Sequence, residues 1–346
     1  MSTSSTDRLN ASNLSVGYQV NGGAQATLSQ LNLAIHAGEF VCLLGPNGTG
    51  KSTLIRTLAG IQAPLSGELK LEGHCYKKIS PRERARRVSI VFTDLLPVGM
   101  MDAYSFTALG RHPHSGWMGR LSQTDHTQIQ WALEAAGAAH LRERQVSELS
   151  DGERQKVAIA RALAQEARLM LLDEPTAFLD LPRRIELMRL LRDLAHREKI
   201  GMLLSTHDLD LAIRYADRLW LIAPDGQLLQ GMPEALALSG ALQQAFASDS
   251  LDWDSNSGSF HAHRSYYLQA TLTGSGPAAL WTRRGLQRIG IGITEVANCA
   301  RFDITLVLVD AATQWQITDS ATSDSHNFNS IEALLKWICP RRPQAS

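Results

Sequence analysis

Short apolar runs alternate with stretches of helical periodicity along the first two thirds of the chain. Phe40-Val41-Cys42-Leu43-Leu44, bounded by Gly38 and Gly45, has no polar interruption and reads as a strand buried on both faces. Three more such runs follow, at 168–172, 201–205 and 218–222, the last before the turn Pro224-Asp225-Gly226. Between them, helical spacing covers about 52–58, 151–166, 182–198 and 208–215. Strand–helix alternation of this kind predicts a mainly parallel sheet covered by helices, an α/β architecture. Around 252–259 the chain turns polar (Asp252-Trp253-Asp254-Ser255-Asn256-Ser257-Gly258-Ser259), which predicts a linker or loop.

The remainder has a different rhythm. Tyr266, Leu268, Ala270 and Leu272 alternate with polar neighbours, as do Phe302, Ile304, Leu306 and Leu308, and then Trp315 and Ile317 after the Asp310-Ala311-Ala312 turn. Helices are expected at about 277–289 and at the end, where Ile331, Leu334, Leu335 and Ile338 share one face. The order strand–helix–strand–strand–helix predicts a small α+β domain with helices on one side of a sheet. The expected division is therefore 1–250 and 260–346.

Composition narrows the classes. With 34 Lys plus Arg against 34 Asp plus Glu, the 346-residue chain has zero formal charge and no global attraction for nucleic acid. No apolar run reaches the roughly 18–20 residues that span a bilayer. Met1 to Asn10 is polar, without the apolar centre of a signal peptide. Cys42, Cys75, Cys299 and Cys339 are scattered with no C-x-x-C pair, which fits a reducing compartment better than a disulfide framework or a zinc site. His112 and His114 are separated by a proline, and His261 and His263 have no third partner in sequence, so neither pair makes a convincing metal site.

Specific chemistry begins at Gly45-Pro46-Asn47-Gly48-Thr49-Gly50-Lys51-Ser52-Thr53, which fits G-x-x-x-x-G-K-[ST] between a buried strand and a helix. Glycines let backbone N–H groups wrap a phosphate, and the helix N-terminus adds positive potential. Lys51 is expected to hold the β- and γ-phosphates and Ser52 a Mg²⁺ ion. The run at 168–172 leads into Asp173-Glu174, a carboxylate pair suited to a Mg²⁺ ligand and a water-polarising base, or simply to capping a helix. Ser150-Asp151-Gly152-Glu153 has capping-box spacing, and such a helix N-terminus can also face a phosphate. Pro175 to Asp180 follows the carboxylate pair, and His207 follows the strand at 201–205.

Together these motifs resemble the nucleotide-binding domain of ATP-binding cassette (ABC) transporters, over about 12–248 and in the family's order. The resemblance implies a P-loop ATPase domain with a helical subdomain at about 95–160, beside the small C-terminal α+β domain. It implies a homodimer sandwiching two ATP molecules, each with Mg²⁺. Tyr18, whose other reading is a half-buried strand aromatic, stacks on adenine. Ser52 and Asp173 organise Mg²⁺, and Glu174 is the general base. Ser150 and Gly152 meet the γ-phosphate held by the other copy, Asp180 lies in the loop after the base, and His207 senses the γ-phosphate. Two departures stand out: Thr93, followed by Asp94, where the family has glutamine, and Asp151 and Glu153 in a signature that is more often neutral. Threonine is too short to repeat all the contacts of glutamine with Mg²⁺ and permease, while Asp151 and Glu153 are expected to turn outward or cap the helix.

Leu109-Gly110-Arg111-His112-Pro113-His114-Ser115-Gly116-Trp117 resembles importers of ferric siderophores, haem or cobalamin. The function implied is an ATPase subunit, peripheral on the cytoplasmic side of the membrane, that drives a separate permease through the helical subdomain. Another importer or exporter ATPase, a soluble ABC ATPase or a small-molecule kinase are the competing readings. The mixed-charge string 82–87 is expected to be a solvated helix face rather than a nucleic-acid site.

Overall fold

The computed structural model describes residues 7–20, 23–93, 99–116, 119–246, 251–254, 259–262, 266, 268–296, 300–309 and 312–341. Asp94, Trp117, His263, Cys299 and the Asp310-Ala311 pair lie outside them, as do 1–6 and 255–258. The chain divides into two compact units, one comprising Met1–Ser248 with Trp253–Phe260, the other Asp249–Asp252 with His261–Ser346.

The strands of the first unit are β1 (Asp7–Val20), β2 (Gly23–His36), β3 (Phe40–Leu44), β4 (Ser66–Leu71), β5 (His74–Cys75), β6 (Val88–Val91), β7 (Leu169–Asp173), β8 (Gly201–Ser205), β9 (Arg218–Ile222) and β10 (Leu228–Gly231). Its helices are α1 (Lys51–Ala59), α2 (Pro81–Ala85), α3 (Ala103–Ala108), α4 (Gln123–Ala135), α5 (Asp151–Ala164), α6 (Leu181–Glu198), α7 (Leu209–Tyr215), α8 (Pro233–Leu238) and α9 (Ala241–Phe246). The central six-stranded sheet runs β10-β9-β3-β8-β7-β6, parallel except for β10. A second, antiparallel sheet runs β2-β1-β4-β5.

The apolar runs have a simple physical reading. All five residues of β3 are buried. Phe40, Cys42 and Leu44 enter one core, with α5 and α6, while Val41 and Leu43 enter another, with α1 and the antiparallel sheet. β7 divides the same way, Met170 and Leu172 to one side, Leu169 and Leu171 to the other. A strand with a hydrophobic core on each face has no room for alternation. Helix α1 is stopped by Gly60, whose φ of 75° gives the left-handed C-terminal turn that a side chain disfavours.

The stretch expected as a linker is partly ordered strand. β11 (Leu251–Asp254) pairs with β12 (Ser259–Ala262), and Phe260 packs on Trp253 and Phe246 at ring centroid distances of 4.8 and 5.6 Å.

The second unit contains β13 (Leu268–Thr273), α10 (Gly276–Arg288), β14 (Ile291–Ile293), β15 (Phe302–Val309), β16 (Ala312–Asp319), β17 (Asp324–Phe328) and α11 (Ile331–Ile338). Its sheet runs β14-β13-β15-β16-β17. Leu286 of α10 and Leu334 and Ile338 of α11 share a core with Ala270, Phe302, Ile304, Trp315 and Ile317. The pattern-based order lacks β14 and β17. The first is only three residues long; the second, Asp-Ser-His-Asn-Phe, is nearly all polar and exposed, so neither carries an alternating apolar signal.

Candidate active site

From the end of β3 the chain turns through Gly45–Ser52 into α1. Gly48 and Gly50 have φ of 79° and 99°, and a Cβ on Gly50 would stand 2.6 Å from Thr27 Cγ2, so both backbone angle and space require glycine there. Thr49 Oγ1 donates to the Pro46 carbonyl at 2.9 Å, bracing the loop, while Asn47 and Gly48 are exposed. Lys51 is buried, and its Nζ donates to the Gly45 and Pro46 carbonyls at 2.8 and 3.0 Å. Burial pushes the amine below its usual range, opposed by the negative charges of Glu174 and Asp173. Tyr18, 49 % exposed, is tethered beside the loop by a 2.8 Å hydrogen bond between its hydroxyl and Thr53 Oγ1.

At the end of β7, Asp173 faces this loop. Its Oδ1 accepts from Ser52 Oγ at 3.2 Å and from Ser205 Oγ at 2.8 Å. The Glu174 N–H donates to the same Ser205 hydroxyl at 2.9 Å. Glu174 has a left-handed backbone, with φ of 49°, and its Oε1 lies 2.5 Å from His207 Nε2. Glu174 and His207 line one cleft with Thr176, Arg184, Thr206 and Asp208. Ser52 and Asp173 juxtapose a hydroxyl and a carboxylate beside the phosphate loop. These are hard oxygen donors of the sort a Mg²⁺ ion takes, so the residues present fit that ion.

The structure thus brings Lys51, Ser52, Asp173, Glu174 and His207 into one constellation, with Tyr18 and Thr53 alongside. Ser150 and Gly152 belong to a different cavity, lined also by Leu179, Arg183 and Glu186. Ser150 caps α5 in a capping box: its N–H and Oγ donate to Glu153 Oε2 at 2.9 and 2.8 Å. Those bonds, backbone first, hold the Glu153 carboxyl below its usual range. Glu153 also pairs with Arg144, and Asp151 with Arg154, so both acidic residues of the signature have local partners. Asp180 caps α6, accepting from the Arg183 N–H at 3.1 Å.

Three features escaped the sequence reading. Ser205 is one: a serine ending a buried strand carries no signal, yet it touches both Asp173 and Glu174. The second is Arg111. It is buried, bonds Asp125 Oδ1 at 2.7 Å and the Ala164 carbonyl at 2.7 Å, and pairs with Glu166, so the Gly-Arg-x-Pro-His string is in part a packing device. His114 Nε2 lies 2.9 Å from the Gln165 carbonyl. The third is the anchoring of 82–87: helix α2 has no buried residue, as expected of a solvated face, yet the stretch is tied to neighbouring segments through its arginines. Arg82 and Arg86 each donate through Nε to the Pro113 carbonyl at 3.0 Å, and Arg87 bonds Glu72 at 2.7 Å.

Residues 28–177 match the ABC transporter family, and residues 268–339 match the iron ABC transporter C-terminal domain. An uncharacterised ABC transporter ATP-binding protein of Methanocaldococcus jannaschii is 41 % identical, over 65 % of this chain and 77 % of its own length. The ferric enterobactin transport ATP-binding protein FepC of Escherichia coli is 34 % identical, over 70 % of this chain and 89 % of its own. Among solved structures, the dimeric structure of a bacterial ABC transporter cassette superposes with a TM-score of 0.56 at 26 % identity, covering 65 % of this chain and 98 % of that one. With a complete phosphate loop facing a carboxylate pair, and relatives of this identity and coverage, the chain belongs to the ATP-binding proteins of ABC transporters, and its chemistry is ATP hydrolysis.

Proposed function

We propose that the chain is the ATP-hydrolysing subunit of an importer for a metal chelate: a ferric siderophore, haem or cobalamin. One observation carries this reading. A segment matching the iron ABC transporter C-terminal domain is joined, in one chain, to a cassette in which the phosphate-loop serine meets Asp173 and His207 meets Glu174.

In this reading Tyr18 stacks on the adenine, and the loop from Gly45 to Thr53 wraps the phosphates, with Lys51 on the β- and γ-oxygens. Ser52 and Asp173 hold Mg²⁺, which neutralises charge on the phosphates. Glu174 accepts a proton from the attacking water, and His207, already against its carboxylate, fixes its direction and meets the γ-phosphate. Ser150 and Gly152 serve the γ-phosphate bound by a second copy of the chain, where the N-terminus of α5 contributes positive potential. Asp180 contributes to the same interface, which agrees with the exposure of neighbouring Phe178. The segment at about 95–160 docks a transmembrane permease, and the subunit sits peripherally on the cytoplasmic side. Among the described residues no helix is long and apolar enough to cross a membrane.

Uptake of radiolabelled ferric siderophore, haem and cobalamin, in cells with and without the chain, tests this. Loss of one of the three, restored by the wild-type chain and not by Glu174→Gln, is the expected outcome. Unchanged uptake of all three sinks the metal-chelate reading. Restoration by Glu174→Gln removes Glu174 as the base.

A further inference from the structure

Thr93 stands where the family's pattern has glutamine, and none of the roles above uses it. Its hydroxyl donates to the main-chain carbonyl of Asp173 at 2.6 Å. The N–H of the same peptide group, that of Glu174, donates to Ser205 Oγ at 2.9 Å. The peptide joining the two carboxylates is therefore gripped at both polar ends. The grips come from opposite sides, because Thr93 follows β6 and Ser205 ends β8, the two strands that flank β7. Any rotation of this peptide would turn the Asp173 and Glu174 side chains relative to one another.

A peptide in this position needs holding. Glu174 has φ of 49°, a conformation its Cβ disfavours, so contacts from outside the segment must maintain it. The Glu174 carboxylate then reaches His207, which fixes the other end of the same residue. Ser205 also donates to Asp173 Oδ1, so one hydroxyl network orients the carboxylate that faces Ser52 and the backbone of the residue after it.

We propose that Thr93 is a positioning residue for hydrolysis: its hydroxyl locks the Asp173–Glu174 peptide, and through it the aim of the Glu174 carboxylate, and it does not ligate the metal. This rests on the reading of Glu174 as the base. It also explains how a side chain too short for the glutamine's contacts is accommodated at this point of the site. The hydroxyl serves the carboxylate pair through the main chain instead.

The full-length protein decides the matter through Thr93→Val, which keeps the shape and removes the hydroxyl, and Thr93→Ser, which keeps the hydroxyl. Thr93→Val should lower kcat for ATP about five- to ten-fold, the worth of one lost hydrogen bond. KM for ATP and the Mg²⁺ concentration at half-maximal rate should stay within about twofold, and Thr93→Ser should recover kcat to within about twofold. Equilibrium binding of ATP without metal should be unchanged in both variants. A wild-type kcat in Thr93→Val overturns the proposal, as does a Thr93→Ser that fails to recover. A roughly tenfold rise in the Mg²⁺ requirement makes Thr93 a metal ligand and overturns it too. Loss of metal-free ATP binding does the same, by reducing Thr93 to a support of the fold. Glu174→Gln, assayed in parallel, separates the two readings. If it turns over normally, the base is misassigned. If it is inactive while Thr93→Val is unimpaired, only the inference about Thr93 fails.

Discussion

At the scale of single residues, the site depends on charges and hydroxyls that act across long sequence separations. Lys51 is the clearest case. It is buried, close enough to Asp173 and Glu174 for their charges to raise its pKa against the lowering effect of burial, and bonded to the loop's own carbonyls. Replacing it by alanine removes the cation proposed to meet the β- and γ-phosphates. Lys51→Ala should reduce ATP turnover by about 10²-fold or more, measured as phosphate release by the purified protein. Near-normal release would mean that another cation serves the phosphates. The principal residues of this site were legible because their spacing is dictated by backbone geometry: glycines where φ is positive, and a lysine and serine at a helix start. Ser205 and the bond made by Thr93 were not. A hydroxyl that braces a peptide 31 or 80 residues away leaves no periodicity or motif, and only the strand order reveals it.

At the scale of elements, the helical segment between β6 and β7 is held by one buried cation rather than by apolar packing alone. Arg111 lies between Asp125 at the start of α4 and the C-terminal end of α5, where it reaches the Ala164 carbonyl. The Asp125 carboxyl is pulled down to about 2, first by the Ser122 hydroxyl, with the Ser122 N–H and Arg111 adding to it against the cost of burial. Its folded value lies below its ordinary one, so the stability it contributes is complete above about pH 4 and lost as pH falls through about 2. The stability gap between the wild type and Asp125→Asn should therefore close by about 2 kcal/mol over that window in urea titrations. A gap independent of pH would mean that the carboxylate is not preferentially ionised in the folded state. Beside it, Gly110 lets the turn that follows α3 approach α5 closely, since a Cβ there would stand 2.2 Å from the Arg161 carbonyl. Gly110→Ala should cost about 1–3 kcal/mol, seen as a lower Tm. Here the sequence showed a Gly-Arg-x-Pro-His string and its likeness to a family, but not that the arginine points inward. Charge ordinarily marks surface, and the partners that reverse this, Asp125, Ala164 and Glu166, lie 14 to 55 residues away.

At the scale of the whole molecule, the two units have separate cores. The boundary itself was poorly visible in the sequence, because Trp253 sits in the polar stretch that reads as linker and Phe260 at the expected start of the second domain, yet both belong to the first unit, where Phe260 packs on Trp253 and Phe246. This gives two truncations with different expectations. A chain ending at Ser248 keeps every residue of the proposed site but loses Phe260, which packs on Phe246 at the end of α9, and Trp253, which packs on Phe260. A chain ending at Ala262 keeps them. Aromatic pairs of this geometry contribute about 0.5–1.5 kcal/mol each beyond the area they bury. The shorter chain should therefore melt several degrees lower, since about 1 kcal/mol corresponds to roughly 2–4 °C at this domain size. Both should bind ATP as the full chain does, because none of the hydrogen bonds linking Lys51, Ser52, Asp173, Glu174, Ser205 and His207 involves a residue beyond His207. Melting curves and equilibrium ATP binding of the three chains supply the measurement. Equal melting of the two truncated chains would mean that the rings add nothing to the first unit. Loss of ATP binding in the chain ending at Ala262 would make the C-terminal unit part of the catalytic fold rather than a separate body with its own core.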